Sequence, residues 1–459
     1  FSLLMRNDNI DIPAGDGDYV IEDSLTLPVA VEALGVYPHA HYLGKSIEAY
    51  ATLPDGRKQL LINIPKWDFN WQDDYRYRQP LHLPAGTRIH MRFVYDNTSA
   101  NALNPHNPPQ RVRFGNRSTD EMATLAIQVI PEQAEDKAVL REALMRVRLE
   151  KNSDNWFAHN ALSGALKEQG RLDEALSHIH EAIRLHPGHP QLRYNLGNTL
   201  LSLGRLEEAV ESYQRALAIE PDHPKANNNL AVTYQQMGDL ARAVQHYREQ
   251  LTVSPMDARA HANLGTALFE QGRVQAADDA FARALELDPD WVAALEGRGD
   301  VARARGQLED AEHRYQQVLS AQPEAPGANY GLGAIRLAQG APEAAIVHFR
   351  KAVQSNDAYI GVLNDDAWGL ATDPDPGLRA PAQALALATL ADQLTGHQVP
   401  ELLDTLAAAQ AATGDFEQAA QTLERALALA ADGSAAQYIP EFRQRRALYR
   451  QGKAFVDEN

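Results

Sequence analysis

The chain contains no cysteine among its 459 residues, which excludes disulfide bonds, zinc–thiolate sites and thiol nucleophiles. It also lacks any run of about 18 apolar residues, so no segment is expected to span a membrane. Basic residues are scarce relative to acidic ones: 43 Lys+Arg stand against 61 Asp+Glu, for a formal net charge of −18. Such a surface is a poor partner for nucleic acid, because phosphate binding requires a basic footprint.

The start of the sequence lacks a recognisable export signal. Phe1 opens a strand-like segment, and no positively charged start is followed by an apolar core. We therefore expect this sequence to be the tail of a longer precursor. An apolar content of 44% supplies enough material for real hydrophobic cores and argues against low-complexity disorder.

What the sequence does contain is a repeat with a period of 34 residues. Six glycines follow one another at this spacing, and an alanine stands five residues after each: Gly170 and Ala175, Gly204 and Ala209, Gly238 and Ala243, Gly272 and Ala277, Gly306 and Ala311, Gly340 and Ala345. Proline closes five of the units and Asp357 takes that place in the sixth: Pro187, Pro221, Pro255, Pro289, Pro323. A fixed period of this length predicts a repeated pair of helices.

Each repeated residue type has a physical role in such a pair. The glycine ends the first helix, where it adopts a left-handed backbone without steric cost, and the proline ends the second helix. The alanine stands where the two helices approach closely. Apolar residues such as Leu196, Tyr213 and Leu230 recur at a spacing that gives each helix one apolar face, which only stacked neighbours can bury. Over residues 155–358 the pattern resembles six tetratricopeptide (TPR) repeats.

The resemblance to TPR proteins implies that a protein or peptide partner binds the concave face of the first helices. Seven residues are expected to face that groove: Asn160, Tyr194, Asn198, Asn228, Gln235, Thr266 and Tyr330. Asn and Tyr side chains suit hydrogen bonds to an extended peptide backbone. The alternative is that some of these residues are only exposed positions of the solenoid.

Helical sequence flanks the six repeats on both sides. Residues 132–154 predict a helical connector that packs on the first repeat through four residues: Ala138, Leu140, Leu144 and Val147. Residues 359–398 predict an irregular helical pair, because the period breaks after residue 358. In 399–455 the Gly-to-Ala offset returns once, at Gly414 and Ala419, which predicts a degenerate TPR unit followed by a capping helix.

Residues 1–131 show no helical period. Short β-rich runs alternate with turn signals: Tyr19–Leu27, Glu32–Tyr37, Ser46–Leu53, Gln59–Ile64, Tyr75–Leu83, Arg88–Tyr95 and Met122–Ile130. Many short strands at this spacing predict a β-sandwich. The expected fold class is therefore a β-sandwich domain followed by an all-α solenoid.

Two short segments of the β-rich region carry metal-binding residue types. His39 and His41 are two residues apart on a predicted strand, so both rings point to the same side. Met122 opens the last predicted strand, and its thioether is a soft ligand that favours Cu(I). Together they predict a redox copper site. The alternatives are a chance His-x-His pair, in a chain with 16 His, and a methionine that only packs in the core.

The sequence also supplies an internal comparison for this pattern. His178 and His180 are likewise two residues apart, but they fall in a repeat helix. There the two side chains diverge by about 200° around the helix axis. We therefore expect the pair His178 and His180 to bind nothing.

The segment from Leu27 to Pro131 resembles the C-terminal half of the copper type II, ascorbate-dependent monooxygenases, the family that includes the peptidylglycine α-hydroxylating enzymes. The resemblance is carried by three runs: Pro38-His39-Ala40-His41, Leu43-Gly44-Lys45 and Asp120-Glu121-Met122. It implies a jelly-roll-like sandwich in which His39, His41 and Met122 hold a catalytic copper ion. It also implies ascorbate or another electron donor, hydroxylation of a substrate C–H bond with O₂, and a periplasmic or secreted location. The run from Trp67 to Gln72 looks like that of bacterial members that also carry TPR repeats, although aromatic packing explains it as well.

The departures from that family limit what the resemblance implies. Tyr37 stands where the peptide-hydroxylating enzymes have a substrate-binding Arg, and Thr124 and Ala126 replace an Asn and a Tyr. Peptidylglycine is therefore not the expected substrate. The family also uses a second copper ion held by three His of an N-terminal half, and no His precedes His39 in this sequence. Either that half lies before Phe1, or the chain is a one-copper relic.

Two functions from different classes therefore remain open. The first is a copper-dependent monooxygenase-like protein whose TPR repeats recruit a protein partner. The alternative is a non-catalytic TPR interaction scaffold with a structural or copper-storing β domain. A hydrolase or transferase is a weaker hypothesis, because we find no Gly-rich phosphate loop and no nucleophile elbow in the sequence.

Overall fold

The computed structural model describes residues 1–431 and 434–457. Within them, the N-terminal region is β-rich, and its ten strands are β1 (Ser2–Arg6), β2 (Asp11–Ile12), β3 (Tyr19–Thr26), β4 (Val31–His39), β5 (Gly44–Thr52), β6 (Lys58–Ile64), β7 (Tyr75–Leu83), β8 (Arg88–Tyr95), β9 (Val112–Arg113) and β10 (Thr124–Pro131). A single turn of 3₁₀-helix, Phe69–Trp71, precedes β7.

The strands form two four-stranded antiparallel sheets and one small ribbon. The first sheet has the order β1-β10-β4-β7, the second has the order β3-β8-β5-β6, and β2 pairs with β9. Inward-facing residues of both large sheets, such as Leu125 and Phe93, belong to one hydrophobic core. The expected β-rich region is confirmed.

All seven strands expected from the sequence are present, but three further strands are not evident in its pattern. In β1 the run Leu3-Leu4-Met5 hides the alternation, because Leu3 and Met5 are buried whereas the apolar Leu4 is exposed. The other two, β2 and β9, contain two residues each. Strands this short give no periodic signal.

The rest of the chain is helical. Its α-helices within the described residues are α1 (Asp136–Lys151), α2 (Trp156–Glu168), α3 (Leu172–Leu185), α4 (Pro190–Ser202), α5 (Leu206–Ile219), α6 (Ala226–Gln236), α7 (Leu240–Val253), α8 (Ala258–Glu270), α9 (Val274–Leu287), α10 (Val292–Ala304), α11 (Leu308–Ala321), α12 (Pro326–Ala338), α13 (Pro342–Ser355), α14 (Tyr359–Thr372), α15 (Pro381–Leu394), α16 (Pro400–Ala412), α17 (Phe416–Ala430) and α18 (Ile439–Tyr449). Of the unit expected at 399–455, residues 432 and 433 lie outside the described part.

The roles expected for the repeated residues are confirmed from α2 to α13. Each of the six glycines at the end of a first helix has a positive φ, between 72° and 77°. Each of the six repeated alanines is fully buried. Helix α3 ends two residues before Pro187, and the other four repeated prolines follow their helices in the same way.

A second set of glycines lets aromatic rings pack against the first helices. A Cβ atom added to Gly197 would lie 2.5 Å from a ring carbon of Tyr213, and one added to Gly333 would lie 2.6 Å from a ring carbon of Phe349. Both rings are buried. In these two pairs, the missing side chain of the glycine therefore leaves room for the ring of the second helix.

The chain divides into two compact units, residues 1–237 and 238–459, and each is described by itself. In the first, Leu140, Leu144 and Met145 of α1 belong to the same core as the two sheets and helices α2 and α3. Lys151 at the end of α1 forms an ion pair with Asp23 of β3. Helix α1 thus packs on the β-sheets as well as on the first repeat.

In the second unit, helices α13 to α18 share one core that includes Phe349, Leu387 and Phe442. A buried pair ties α16 to α18, because Nε and Nη2 of Arg445 donate to the carboxylate of Asp404 at 2.9 and 2.6 Å. The same Nη2 lies 3.3 Å from Glu441. No helix of the described residues is both long enough and apolar enough to cross a membrane.

Candidate functional site

The end of β4 and the start of β10 bring the predicted copper ligands to one place. His39 is the last residue of β4, and it pairs with Thr124, the first residue of β10, in the antiparallel register. The turn that carries His41 therefore lies beside the segment that carries Met122, although 81 positions separate them in the sequence. The sequence had predicted both histidines on one strand and Met122 at the start of another. That prediction was wrong in detail, because β4 ends at His39 and β10 begins at Thr124, so His41 and Met122 lie outside the strands.

A buried carboxylate joins these two segments. Glu121 accepts hydrogen bonds from the backbone nitrogens of His41 at 2.8 Å, Leu43 at 2.6 Å and Met122 at 3.3 Å. Burial raises the pKa of Glu121 to about 7, and the three hydrogen bonds act in the opposite direction. In the sequence, Glu121 is visible only as part of the Asp120-Glu121-Met122 motif, which does not reveal this structural role.

The imidazole of His41 is held in one tautomer. Its Nδ1 lies 2.8 Å from the backbone oxygen of Asp120. Since a carbonyl oxygen only accepts, Nδ1 carries the proton in the neutral ring, and the lone pair is then on Nε2. Trp67 also holds the backbone of this residue, because its indole Nε1 donates to the backbone oxygen of His41 at 3.2 Å. The ring is buried, with 4% of the residue exposed.

His39 is oriented in a similar way by a residue that sequence analysis did not single out. Its Nδ1 is hydrogen-bonded to the side-chain oxygen of Gln72, whose amide nitrogen donates to the backbone oxygen of Phe69 at 2.9 Å. Burial lowers the pKa of His39, and the neighbouring His41 lowers it further. The only sequence signal for Gln72 was its place at the end of the aromatic run that begins with Trp67.

The two imidazoles lie close together. Their ring centroids are 5.1 Å apart and their planes meet at 85°, and the ring of Phe69 packs edge-on against His41 at 5.7 Å. Met122 is half-buried, and its backbone oxygen accepts a hydrogen bond from Tyr95 at 2.7 Å. The imidazole at the end of β4 and the imidazole of the following turn are therefore neighbours, next to a thioether-bearing residue.

This donor set fits copper in its chemistry. Two neutral imidazoles and one thioether are ligands that Cu(I) accepts. Hydrogen bonds from Nδ1 to Asp120 and Gln72 are the outer contacts that usually orient a metal-binding His. In residues 1–431 and 434–457 no three side chains of His, Asp or Glu gather as a metal site.

The predicted partner-binding residues of the helical region are engaged within the fold. Asn160 accepts a hydrogen bond from Asn195 at 2.8 Å, and Asn198 accepts from both Tyr213 and Asn229 at 2.7 Å. The hydroxyl of Tyr194 accepts a hydrogen bond from Asn229, and Tyr330 donates one to Asp366. The hydroxyl of Thr266 donates to a backbone oxygen of its own helix. Asn228 is buried, and Gln235 also interacts with other residues of the fold. Several of these bonds link consecutive repeats.

In the second unit, the first helices carry a group of acidic and tyrosine side chains. We define the acidic helix surface as Glu296, Asp300, Tyr330 and Asp366. Glu296 accepts from the backbone nitrogen of Ala328 at 2.9 Å, and Asp300 accepts from the hydroxyl of Tyr315 at 2.7 Å. Burial raises the pKa of each of the three carboxyls.

Sequence profiles identify the helical repeats. Profiles described as "TPR repeat" or "Tetratricopeptide repeat" match residues 181–211, 197–238, 228–290, 297–360 and 402–435. These helices are TPR repeats. None of the profiles reaches the β-rich region, and no curated protein sequence matches the chain significantly.

Several solved structures resemble parts of the chain. MamA from Desulfovibrio magneticus RS-1 is 22% identical, covers 36% of this chain and 93% of its own, and has a TM-score of 0.34. YrrB, described as a TPR protein with an unusual peptide-binding site, is 19% identical and covers 40% of this chain and 95% of its own, with a TM-score of 0.34. A TPR protein from Parabacteroides merdae is 19% identical and covers 64% and 98%, with a TM-score of 0.43.

Proposed function

We propose that this chain is a protein-interaction scaffold whose TPR repeats bind an extended segment of a partner protein. The observation that carries the proposal is the run of regular helix pairs that TPR profiles match. Stacked helical repeats bury their apolar faces against each other and leave a continuous face of first helices for a ligand. The interaction hypothesis is therefore favoured over the enzymatic one.

The acidic helix surface of the second unit is the most specific place for such a contact. Its carboxylates lie on α10 and α14, and the guanidinium of Arg303 lies 3.9 Å from the carboxylate of Asp300. The ring of Tyr330 packs against that of Tyr359 at 5.4 Å, which adds an aromatic wall. A negative surface with aromatic sides suits Lys or Arg side chains.

Partial burial of these carboxylates favours the binding of a cation. Burial raises the pKa of Glu296, Asp300 and Asp366, because removal from water disfavours their charged forms. A partner cation placed among them would stabilise those charged forms. We therefore expect the partner segment to be basic and extended.

The experiment compares short basic peptides with acidic ones of the same length, by fluorescence anisotropy on the full chain. The variant Glu296→Gln/Asp366→Asn removes two charges from the acidic helix surface. The matched control, Glu309→Gln/Glu343→Gln, removes two charges from exposed sites in the first turns of α11 and α13. We expect basic peptides to bind wild type and the control, and to bind the first variant about tenfold more weakly.

The opposite pattern would reject this assignment. If basic and acidic peptides bind equally, or if the control variant loses as much affinity as the test variant, the surface has no specific role. Binding that does not weaken with added salt would also contradict a charge-based contact.

A second function rests on a different observation, the tautomers of His39 and His41. We propose that these two rings, with Met122, hold one copper ion through Nε2 of each ring and the thioether sulfur. The strand orders of the two sheets support the jelly-roll-like fold that the copper enzymes share. Bound copper would supply one-electron chemistry with O₂, and that chemistry would imply a location outside the cytoplasm.

In this proposal the role of the surrounding residues is to orient the copper ligands. Asp120 and Gln72 hold the protons of the two rings on Nδ1, and Glu121 keeps the turn of His41 against the segment of Met122. Hydroxylation of a substrate would require a second electron source, such as another copper domain or ascorbate. A copper-storing or structural β domain needs neither.

Copper titration of the full chain tests this site. Competition with a Cu(I) chelator should give one equivalent of tightly bound copper, which His41→Ala or Met122→Ala should remove. His82→Ala is a matched control, because it deletes an imidazole of the same domain that instead pairs with Glu32 at 2.8 Å. A wild-type chain that binds no copper, or a His82→Ala variant that alone loses it, rejects the assignment.

A further inference from the structure

A pair of histidines lies in a cleft of the first unit, apart from the β-sheet site. The cleft has a volume of about 580 Å³ and lies among α1, α2 and α3. His159 of α2 and His178 of α3 line it, and their Nδ1 atoms are 2.9 Å apart. The sequence spacing relates His178 only to His180, and the partner on the neighbouring helix becomes evident only from the packing of α2 and α3.

One of the two rings is fixed in a metal-binding tautomer. The Nε2 of His159 lies 2.9 Å from the backbone oxygen of Ser153 and must donate to it. The Nδ1 of His159 is therefore unprotonated in the neutral ring, and its lone pair faces His178. A hydrogen bond from the far nitrogen to a backbone carbonyl is the usual support of a metal-ligating His.

The separation of the two nitrogens fits two ligands of one ion. Metal–imidazole bonds of about 2.0–2.1 Å place two ligands that meet at a right angle roughly 2.9 Å apart. Right angles between ligands are the preference of Cu(II) and Ni(II) in tetragonal sites. The observed distance of 2.9 Å between the two Nδ1 atoms matches this arrangement.

The surroundings of the pair also tolerate a dication. Glu150, Asp154 and Glu181 line the same cleft, and Arg146 is the basic residue among its lining side chains. Glu181 is itself paired with Arg184 at 2.6 Å, so it contributes charge but is not a free ligand.

We propose that His159 and His178 bind one divalent transition metal ion, Cu(II) or Ni(II), through their Nδ1 atoms, with water in the remaining positions. This site is independent of the peptide surface and of the proposed copper site in the β-sheets. The competing arrangement is a hydrogen bond in which the two rings share one proton. In that case no metal enters.

The experiment is a Ni²⁺ titration of the full chain by calorimetry, in a His39→Ala/His41→Ala background that removes the histidine pair of the β-sheets. We expect one equivalent of bound metal, and at least a tenfold loss of affinity in His159→Ala and in His178→Ala. His180→Ala is the matched control, since His180 is an exposed residue on the same helix, two positions away. It should keep full affinity. The variant His189→Ala, which breaks the pair His186 and His189, is a further control and should keep full affinity.

A spectroscopic measurement and a second variant make the test decisive. Cu²⁺ added to the same background should give an EPR spectrum with nitrogen hyperfine splitting that His159→Ala abolishes. If His159→Ala unfolds, His159→Gln replaces it, because an amide can still donate to the Ser153 carbonyl. Absence of a stoichiometric site, or equal losses in His159→Gln and His180→Ala, overturns the proposal.

Discussion

The backbone nitrogen of His41 donates to the buried carboxylate of Glu121 at 2.8 Å, across 80 positions of the chain. The same carboxylate accepts from Leu43, so one side chain holds the turn after β4 against the segment before β10. The geometry of the candidate copper site depends on this link. Removal of the Glu121 carboxylate would therefore disturb the site even though both histidines remain.

We therefore predict that Glu121→Ala lowers the free energy of unfolding of the β-sheet region by about 2–4 kcal/mol. The reason is that buried backbone donors lose their acceptor and a cavity remains. Denaturant unfolding followed by near-UV circular dichroism measures the loss. Glu132→Ala removes an exposed carboxylate nearby and should change stability by less than about 0.5 kcal/mol. Equal effects of the two variants would show that Glu121 has no special structural role.

The contact between Gly333 and Phe349 gives a second prediction. A Cβ at position 333 would lie 2.6 Å from the ring, and Phe349 is 1% exposed, so the ring has little room to move. We expect Gly333→Ala to destabilise the second unit by about 1–3 kcal/mol. Gly369→Ala in α14 meets no atom within 4 Å, so it should instead stabilise by roughly 0.5–1 kcal/mol. Thermal unfolding of the two variants measures this. A lower midpoint temperature for Gly333→Ala and a higher one for Gly369→Ala would support the prediction, and equal shifts of the two midpoints would contradict it.

These examples show which features the sequence predicts and which it does not. Helix ends and close approaches were predictable at Gly170 and Ala175, because they depend on local backbone and on a strict period. The strands were predictable where polar and apolar residues alternate. The contacts of Glu121 with His41, and of His159 with His178, were not, because pairing between distant residues leaves no periodic signal.

Interior glycines show a further limit of sequence analysis. Gly197 and Gly333 look like weak points of a helix, since glycine lowers helix propensity. Glycine is needed at these positions because the ring of a residue on the next helix packs against them. This contact is visible only in the structure. Gln72 was missed for the same reason, because its role is defined by the ring of His39 and not by its neighbours in the sequence.

Helix α1 leads to a third prediction, about the extent of the β domain. Leu140 is fully buried and shares a core with both sheets. Without α1, the surface of the sheets that Leu140 covers would be exposed to solvent. We expect a fragment of residues 1–154 to unfold cooperatively, and a fragment of residues 1–131 to be less stable. Leu140→Ala in the full chain should cost about 2–4 kcal/mol in the first unit. Leu103→Ala, at an exposed position, should cost little. Equal stability of the two fragments would contradict this role of α1.

The buried pair of Asp404 and Arg445 yields a prediction about pH. Burial raises the pKa of Asp404 to about 6 in the folded chain, with Arg445 acting in the opposite direction. An unfolded Asp has a pKa near 3.9, so the folded state binds this proton more tightly. The contribution of Asp404 to stability is therefore complete below about pH 4 and is lost as the pH rises through 6.

Amide hydrogen exchange of α16 and α18 measures this dependence. Between pH 4 and 7, the opening free energy of wild type should fall by roughly 2–3 kcal/mol more than that of Asp404→Asn, in which the group cannot titrate. Asp415→Asn at the start of α17 serves as a control in the same unit. A wild-type profile parallel to that of Asp404→Asn would contradict the raised pKa.

Gln72 provides the last prediction, because it separates the orientation of His39 from the identity of the ligands. Gln72→Leu removes the acceptor of the His39 Nδ1 proton, so the ring is free to rotate or to change tautomer. We expect Cu(I) affinity to fall by about tenfold with little change in stability, because outer contacts of metal-binding His commonly contribute 10- to 100-fold. Gln72→Glu keeps an acceptor and should restore the affinity. The control Gln59→Leu changes an exposed glutamine on β6 and should have no effect. If Gln72→Leu binds copper as wild type does, His39 either is no ligand or needs no orienting partner.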